Sequence, residues 1–244
     1  MSPDPRPAVI SRRLQGVRRL LAVTGGKGGI GKSVVSSLLA LCLARAGARA
    51  GLLDLDFTGP CDHLVLGFGA GLPAEESGLV PPLEHGIRCL SIAHFVGATA
   101  TPLRGEEASS MLVELLAVVR WGELDYLIVD LPPGLGDIPL EAVRLLPRGQ
   151  FLVVATPSAV AVGTVQRTLE VLGQVRAPVI GVLENMRRRA GTMVARMAAR
   201  AGVPFWGSLP FDARLEEALG RPERLAQTKA YAALEAIVRA HLLG

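Results

Sequence analysis

The sequence predicts an α/β domain built on a mostly parallel, twisted sheet of about seven strands with helices on both faces. Short apolar runs alternate with longer segments of helical period, which is the pattern of successive strand–helix–strand units. Most of the runs are nearly continuous in Val, Ile and Leu, as expected for strands that are covered on both faces. The predicted strands lie at 20–24, 50–55, 88–93, 126–130, 151–156, 179–183 and 204–207.

Helices are predicted in most of the intervals between these strands. They lie at 31–46, 105–120, 139–146, 160–175, 191–201, 213–219 and 228–242. Because 244 residues suit one large domain and no internal repeat or low-complexity linker divides them, we interpret 1–244 as a single domain. Residues 1–19 form an N-terminal extension that could fold as a short basic helix. The stretch 59–86, which bears several Gly and Pro residues, is interpreted as a long surface excursion.

Composition narrows the class of protein. No uncharged apolar run reaches the roughly 18–20 residues that a membrane-spanning helix needs, and the first residues lack the pattern of a signal peptide, so we expect a soluble cytoplasmic protein. The net charge of +4 comes mostly from arginine and is spread along the chain, which favours a solvated surface over a nucleic-acid partner. The last helix lacks a lipid-seeking face, so we expect no stable membrane association. The cysteines Cys42, Cys61 and Cys89 have no CxxC spacing, which indicates a reducing compartment.

A glycine-rich segment after the first strand carries the strongest motif. The pattern GxxxxGK[ST] is matched by Gly26, Lys27, Gly28, Gly29, Ile30, Gly31, Lys32 and Ser33. It stands between a predicted strand and a predicted helix, where backbone N–H groups and a helix N-terminus can surround phosphates. Lys32 can then reach the β- and γ-phosphates, and the hydroxyl of Ser33 can coordinate Mg²⁺. The sequence therefore predicts a P-loop NTPase domain that binds and hydrolyses ATP with Mg²⁺.

Three aspartates end two of the predicted strands. Asp54 and Asp56 leave the second strand at its carboxyl end, where ligands of open parallel sheets bind, and side-chain alternation places them on one face. Both fit positions near Mg²⁺ and the attacking water. Asp130 ends another apolar strand and fits a role in holding Mg²⁺ through water. It leads into the turn 131–137, a stiff segment that can respond to the γ-phosphate as a second switch.

Lys27 gives the loop a second lysine, and the pattern KGGxGK[ST] resembles the deviant Walker A motif of the MinD/ParA superfamily of ATPases. In that class the early lysine reaches the nucleotide of a partner subunit. The resemblance implies a homodimer that forms on ATP binding, with Lys27 stabilising phosphate charge across the interface much as an arginine finger does. It also implies that Asp56 orients the attacking water. The alternative for Lys27 is an exposed lysine without a role.

Longer stretches narrow the resemblance to one branch of that class. LLDLDFTGPCDH, RWGELDYLIVDLPPGLGD, FLVVATPS and VIGVLENM are together similar to the Mrp family, also called ApbC, and the likeness runs from about 17 to 243. It implies that Asn185 reads the adenine and that the loop at Pro210 and Phe211 covers the base. The position of Asn185 at a strand end independently supports a ligand role. A capping or turn asparagine is the alternative.

The sequence is less informative about the cargo, that is, the metal or cluster that the protein would help to deliver. The Mrp family carries iron–sulfur clusters between subunits on a CxxC motif after the ENM segment, but here RRRAGT follows that segment and no cysteine comes after Cys89. Cluster irons need thiolates, so a cluster held in the family's manner is not expected. The stretches LQGVRRL, LLDLDFTGPCDHLVLGF, TPLRGEE and FLVVATPS resemble the Mrp-type HypB ATPases of archaea. Those proteins also lack the CxxC and act with HypA to mature the nickel site of [NiFe]-hydrogenase.

This closer likeness implies metallocentre maturation, namely nickel insertion into [NiFe]-hydrogenase, with a HypA-like metallochaperone or an apo-metalloprotein client as the partner. An iron–sulfur cluster carrier or assembly ATPase is the first alternative. A spatial organiser of the MinD/ParA kind, which binds membrane or DNA, is an alternative of another class. A nitrogenase-like reductase would need cysteines beside the second switch, and 130–146 contains none.

Cys61 and His63 form a weaker candidate for a transition-metal site. Thiolate and imidazole are good ligands for soft or borderline metals, and two subunits together could supply four of them. Two isolated ligands are nevertheless a weak motif. In the alternative interpretation, Asp62 and His63 steady the segment after the second strand while Cys61 packs as a small apolar side chain.

Overall fold

A computed structural model describes residues 6–57, 59–69, 73–93, 105–134, 136–146 and 148–244, so the first five residues of the predicted extension lie outside it. The strands in this part of the chain are β1 Val17–Gly25, β2 Ala50–Asp54, β3 Ala74–Glu75, β4 Leu79–Val80, β5 Leu83–Glu84, β6 Ile87–Ser91, β7 Leu124–Asp130, β8 Gly149–Ala155, β9 Val179–Arg187 and β10 Phe205–Pro210. The helices are α1 Arg6–Arg13, α2 Lys32–Arg45, α3 Asp62–Leu66, α4 Glu106–Val118, α5 Asp137–Leu145, α6 Ala159–Gln174, α7 Met193–Arg200, α8 Arg214–Ala218, α9 Pro222–Leu225 and α10 Lys229–His241.

One twisted sheet of eight strands organises the fold. Its order is β10-β9-β8-β1-β7-β2-β6-β5, and every neighbouring pair is parallel except β5 with β6. The prediction of a single α/β domain with a mostly parallel sheet is confirmed. The strand beyond the predicted seven is β5, at one edge, inside the stretch 59–86 that we expected to be a surface excursion. It has two residues, so no apolar run marks it in the sequence. The same stretch contains α3 and the antiparallel pair of β3 and β4.

Side-chain alternation along the central strand divides the core between the two faces of the sheet. In β1, Leu20 and Ala22 pack with the layer that contains α1, α4, α5, α6 and α7. Leu21 and Val23 pack with the layer that contains α2, α3, α8, α9 and α10. Leu39 of α2 is fully buried in the second layer. Burial of one such side chain stabilises the fold by roughly 1.5–3 kcal/mol.

The N-terminal boundary differs from the prediction. Helix α1 ends at Arg13 and β1 begins at Val17, so the last three residues of the predicted extension 1–19 belong to the central strand. The exposed Arg18 and the half-buried Arg19 hide the start of this strand in the sequence, because they interrupt its apolar run. Among the described helices, none combines the length and the apolarity needed to cross a membrane.

The strand order brings the predicted site residues to one edge of the sheet. Strands β1, β7 and β2 are adjacent and parallel, with Asp130 opposite Val23 on one side and opposite Asp54 on the other. Gly25 ends β1 just beyond this point. Because ligands of open parallel sheets bind at the carboxyl ends of the strands, this edge is where a bound molecule is expected.

Candidate nucleotide-binding site

The segment 26–33, called here the phosphate loop, connects β1 to α2. Gly31 at its end has φ 73°, and a β-carbon there would lie 2.5 Å from Nδ2 of Asn185. A β-carbon on Gly26 would lie 2.6 Å from Oγ1 of Thr164. Both approaches are too close for any side chain, which explains the glycines at the two ends of the loop.

The start of α2 differs from the starts of two other helices. Ser158 caps α6 through the N–H of Ala161 at 3.2 Å, and Thr228 caps α10 through the N–H of Tyr231 at 3.1 Å. Helix α2 follows Gly31 and, like α3, α4, α5 and α7, has no side-chain cap, but in α2 the uncapped end directly follows a phosphate-loop motif. Its first backbone N–H groups therefore lack the internal acceptors that a cap supplies, which suits a phosphate anion at this end of the helix.

Asp130 gathers three donors from the loop and from α2. Nζ of Lys32 and Oγ of Ser33 both donate to Oδ2, at 2.7 and 2.6 Å, and Oγ of Ser36 donates to Oδ1 at 2.7 Å. Lys32 is buried, with 6% of its side chain exposed. Burial lowers the pKa of Lys32, but the charge and the hydrogen bond of Asp130 outweigh it, so the pKa lies above its usual value. The ammonium group is therefore charged and is held in place by the carboxylate of Asp130.

Asp54 lies beside this centre at the end of β2. Its carboxylate accepts the N–H groups of Asp56 and Asp62, at 3.1 and 3.3 Å, and the hydroxyl of Ser91 at 3.0 Å. Burial, together with the charge of Asp130, raises the pKa of Asp54 to about 6. A cation bound nearby would act in the opposite direction, because it lowers the pKa of the carboxyl group and favours its charged form.

Asp62 is a functional candidate that the sequence indicated only as a residue that steadies the segment after the second strand. It is fully buried at the start of α3, and Oγ of Ser37 donates to its Oδ1 at 2.6 Å. Burial raises its pKa well above the usual range, and the charges of Asp130 and Asp54 act in the same direction. One oxygen from each of these three carboxylates lies within 4.8 Å of the others. Only the fold reveals this, because eight residues separate Asp62 from Asp54 in the sequence.

The donor set at this edge fits a hard divalent cation. Carboxylate and hydroxyl oxygens are the ligands that Mg²⁺ prefers, and Asp54, Asp130 and Ser33 present them together. Asp56, which the sequence placed near the attacking water, lies at the same edge with its Oδ2 4.0 Å from Nζ of Lys32. Oδ1 of Asp56 also accepts the N–H of Gly59 at 3.3 Å, in the segment that connects β2 to α3.

Cys61 and His63 lie close to this edge without forming a metal cluster in one protomer. Burial raises the pKa of the half-buried Cys61 thiol to about 11, so the thiol is protonated at neutral pH. Among the described residues, the group of three or more acidic, Cys or His side chains with ligand spacing is the aspartate trio Asp54, Asp62 and Asp130. A shared site between two subunits stays a hypothesis.

A cavity of about 280 Å³, called here the base cavity, adjoins the phosphate loop. It lies between the start of α2 and the ends of β9 and β10, and it brings together the three predicted base contacts, Asn185, Pro210 and Phe211. Asn185 is buried, and its Nδ2 donates to the carbonyl of Ile30 at 2.9 Å. Val34 and Leu38 of α2 form apolar walls. A mostly apolar cavity with the amide of Asn185 beside a phosphate loop suits a nucleotide base.

Lys27 belongs to the phosphate loop, and the segment 131–137, predicted as a second switch, contacts the start of the loop. Lys27 is exposed, and no hydrogen bond or ion pair holds its ammonium group within the described part of one protomer. In the switch segment 131–137, the N–H of Gly134 donates to the carbonyl of Gly25 at 2.8 Å, so the segment contacts the start of the loop. Leu135 of this segment lies outside the described residues.

The eight-stranded sheet and the loop geometry define the class of this protein, which is a P-loop NTPase, a nucleotide-hydrolysing fold. A family model described as NUBPL iron-transfer P-loop NTPase, within the ParA group, matches residues 16–241. The chain belongs to this family. The resemblance to Mrp-type ATPases of the MinD/ParA superfamily is thereby confirmed.

Similar proteins with assigned names support the same family. An iron–sulfur cluster carrier protein of Pseudomonas fragi is 34% identical over 240 residues, which cover 91% of this chain and 83% of the relative. The cytosolic Fe-S cluster assembly factor NUBP2 of Rattus norvegicus is 37% identical, covering 92% of each protein. Among solved structures, a nucleotide-binding protein of Archaeoglobus fulgidus in complex with ADP aligns with a TM-score of 0.77 at 28% identity, covering 93% of this chain and 95% of that one.

The MinD structure of Aquifex aeolicus aligns with a TM-score of 0.68 at 21% identity and covers 93% of this chain and 97% of that one. At this identity the alignment shows a shared fold. It therefore agrees with the sheet topology and says nothing of membrane or DNA binding here.

The prediction of nickel insertion into [NiFe]-hydrogenase with a HypA-like partner is wrong. The relatives are named as iron–sulfur cluster carriers or assembly factors, which favours the alternative interpretation. One of the stretches that resembled HypB, LLDLDFTGPCDHLVLGF, contains Asp54, Asp56 and Asp62, which lie at the edge of the sheet beside the phosphate loop. A likeness at this edge does not identify a cargo. Hydrogenase maturation accordingly has no support.

Proposed function

We propose that this chain is a Mg²⁺-dependent, ATP-hydrolysing switch that acts in the assembly or transfer of iron–sulfur clusters. The observation that carries the proposal is the exchangeable Lys32–Asp130 pair at a phosphate loop, in a chain whose relatives are named for iron–sulfur clusters. The fold and the phosphate loop support the part of the proposal that concerns ATP. The names of the relatives support the part that concerns the client, which would be an apo-protein that receives a cluster.

Nucleotide binding is proposed to proceed by exchange of partners at Asp130. The phosphates of ATP are more highly charged than one carboxylate, so they draw the ammonium of Lys32 away from Oδ2. Asp130 and the hydroxyl of Ser33 are then free to hold Mg²⁺, with Asp54 next to them. Bound Mg²⁺ would neutralise charge on the β- and γ-phosphate oxygens. Asn185 keeps its bond to the carbonyl of Ile30 and offers its side-chain oxygen to the exocyclic amine of adenine.

Hydrolysis is proposed to depend on residues from both sides of the γ-phosphate. Asp56 lies at the edge of the site, 4.0 Å from Lys32, where a carboxylate can orient a water for in-line attack. Lys27 is exposed and available to a second copy of the chain, in which it would stabilise the phosphate charge of the transition state. The chain would therefore dimerise when ATP is bound and separate after hydrolysis.

The cysteines of this chain do not fit a resident cluster. Cys42 and Cys89 are buried, and burial raises the pKa of Cys42 to about 12 and that of Cys89 well above its usual value. Cys61 is the remaining cysteine, and it is a protonated thiol in the free chain. Because cluster irons need thiolates, we propose that the cluster is held by a partner or client while this chain supplies the nucleotide-driven step.

The test combines two measurements on anaerobically purified protein. We expect Mg²⁺-dependent release of phosphate from ATP, and we expect less than one iron and one sulfide per dimer after reconstitution with iron and sulfide. Transfer of a cluster to an apo-ferredoxin from a separate scaffold should require ATP and this chain. Absence of ATP hydrolysis under these conditions, or equal transfer without the chain, would overturn the proposed function.

A further inference from the structure

We propose that Arg188 is a positioning residue of the base cavity: its guanidinium fixes the ring of Phe211 as the outer wall against which the base packs. The inference rests on the proposed function only in that it assumes a nucleotide in the cavity. Arg188 would raise the affinity for adenine nucleotides through the base, with no part in binding the phosphates.

Phe211 needs an external support to act as a wall. It lines the base cavity, yet 43% of it is exposed to solvent. The guanidinium carbon of Arg188 lies 3.6 Å from the centroid of its ring, the distance of a close cation–π contact. Arg188 does not line the cavity. In the proposal, the guanidinium covers the face of the ring that is turned away from the cavity, and the ring presents its other face to the ligand.

Two features of the backbone place Arg188 over the ring of Phe211. Met186, which also lines the base cavity, has φ 58°, a left-handed conformation that a non-glycine residue adopts at some cost. This bend turns the chain at the end of β9. The N–H of Phe211 donates to the carbonyl of Arg187 at 3.0 Å, so the residue before Arg188 is tied directly to the ring that Arg188 covers.

Arg187 holds the segment that carries Arg188. Its guanidinium donates to Oγ of Ser208 at 3.0 Å, to the carbonyl of Arg189 at 3.2 Å and to the carbonyl of Gly191 at 2.7 Å. The first contact attaches the segment to β10, and the other two close the turn that follows β9. The positions of Arg188 and Phe211 are thus fixed by a shared frame, so the ring is arranged for the base before a nucleotide arrives.

If the ring of Phe211 is ordered before the nucleotide binds, the affinity for nucleotides should depend on Arg188. A half-exposed phenylalanine without the guanidinium would sample several rotamers, and ordering it on binding costs affinity. An exposed cation–π contact of this kind corresponds to about a two- to fivefold difference in a binding constant. The effect should appear for ligands that contain a base and be absent for a ligand that has only phosphates.

The experiment compares the dissociation constants of ADP and of inorganic tripolyphosphate by calorimetry, at one ionic strength and without turnover. Arg188→Met should weaken ADP about two- to fivefold and leave tripolyphosphate unchanged. Arg188→Lys should recover part of the loss. The matched control Arg189→Met, which changes the neighbouring arginine, should bind both ligands as the wild type does. In a Phe211→Ala background, Arg188→Met should have no further effect, because the contact it removes is already lost.

Three results would overturn the inference. They are an unchanged affinity for ADP in Arg188→Met, an equal loss for tripolyphosphate, and an additive loss in the double variant. If the wild type binds neither ligand, the proposed function fails together with the inference. If the wild type binds both ligands and Arg188→Met has no effect, only the inference fails, so the two failures are distinguishable.

Discussion

Asp130 is the residue on which the phosphate loop converges. Lys32, Ser33 and Ser36 all donate to its two oxygens, within 2.6 to 2.7 Å. Two of these donors come from the loop motif itself, so the motif and the end of β7 form one unit. A buried carboxylate with three donors is well compensated, and breaking that compensation leaves donors buried and unpaired.

Asp130→Asn tests the role of this carboxylate. The amide keeps the shape of the side chain but loses the charge that holds Lys32 and that would hold Mg²⁺. We expect the rate of ATP hydrolysis to fall by about 10- to 100-fold or more, with a weaker dependence on the Mg²⁺ concentration. Steady-state phosphate release at several Mg²⁺ concentrations checks this, and wild-type rates in the variant would argue against the assignment of Asp130.

A second prediction at the scale of residues concerns Asp54 and Asp62 and the dependence of the free energy of unfolding on pH. Burial raises the pKa of both in the folded chain, to about 6 for Asp54, whereas the unfolded chain titrates near the usual value of 3.8. The folded state therefore binds more protons between these values. The stabilising contribution is complete below about pH 4 and is lost as the pH rises through 6 and beyond.

Urea unfolding in a metal chelator, without nucleotide, measures this dependence. The free energy of unfolding should be greater at pH 5 than at pH 8 in the wild type. The slope should be smaller in Asp62→Asn, which keeps an acceptor for Ser37 and removes one of the two titrations. Identical slopes in the two proteins would show that Asp62 does not titrate as its burial requires.

At the scale of elements, the sequence predicts the buried strands well and the edges poorly. Strands such as β7 and β8 contain continuous apolar runs, at 126–129 and 151–155, because helices cover both faces. The two-residue β5 has no such run, and the arginines at 18 and 19 conceal the start of β1. Of the site, the phosphate loop, Asp54, Asp130 and Asn185 follow from motifs at strand ends. Asp62 and Arg188 do not, because their roles depend on contacts with residues that are distant in the sequence.

At the contact between the phosphate loop and β9, where Gly31 lies next to Asn185, we predict the effect of one substitution. Gly31 has φ 73°, and a β-carbon there would collide with Asn185 at 2.5 Å. Gly31→Ala should therefore displace Asn185 from Ile30, abolish tight nucleotide binding and destabilise the fold by about 1–3 kcal/mol.

The matched control for Gly31 is Gly163→Ala, at an exposed position in the second turn of α6. No atom outside its own helix lies within 4 Å of the added β-carbon. Alanine favours a helix over glycine, so this variant should be more stable by about 0.5–1 kcal/mol with unchanged nucleotide binding. Thermal unfolding and calorimetry check both variants. Retention of wild-type affinity in Gly31→Ala would contradict the close approach to Asn185.

At the scale of the whole molecule, the nucleotide chemistry could be predicted from the sequence and the cargo could not. The loop and the aspartates lie in local motifs whose chemistry follows from the residues, whereas the base contacts were expected from the resemblance to the Mrp family. The cargo depends on which surface meets which client, and no local motif of this chain encodes it. The expectation of nickel rested on four stretches that resemble HypB and on the absence of a CxxC motif, neither of which identifies the metal that is carried. The names of the relatives correct it to iron–sulfur clusters.

The central claim is that each nucleotide site is completed by Lys27 of a second copy. The most direct measurement mixes two variants, Lys27→Ala and Lys32→Ala, and follows phosphate release from ATP. Each variant alone should be nearly inactive. In a mixed dimer, the site on the Lys27→Ala subunit keeps its own Lys32 and receives an intact Lys27 from the other subunit. Random mixing makes half of the dimers mixed, with one complete site of two, so about a quarter of the wild-type activity should return. A mixture no more active than either variant, or normal turnover in Lys27→Ala alone, would contradict the claim.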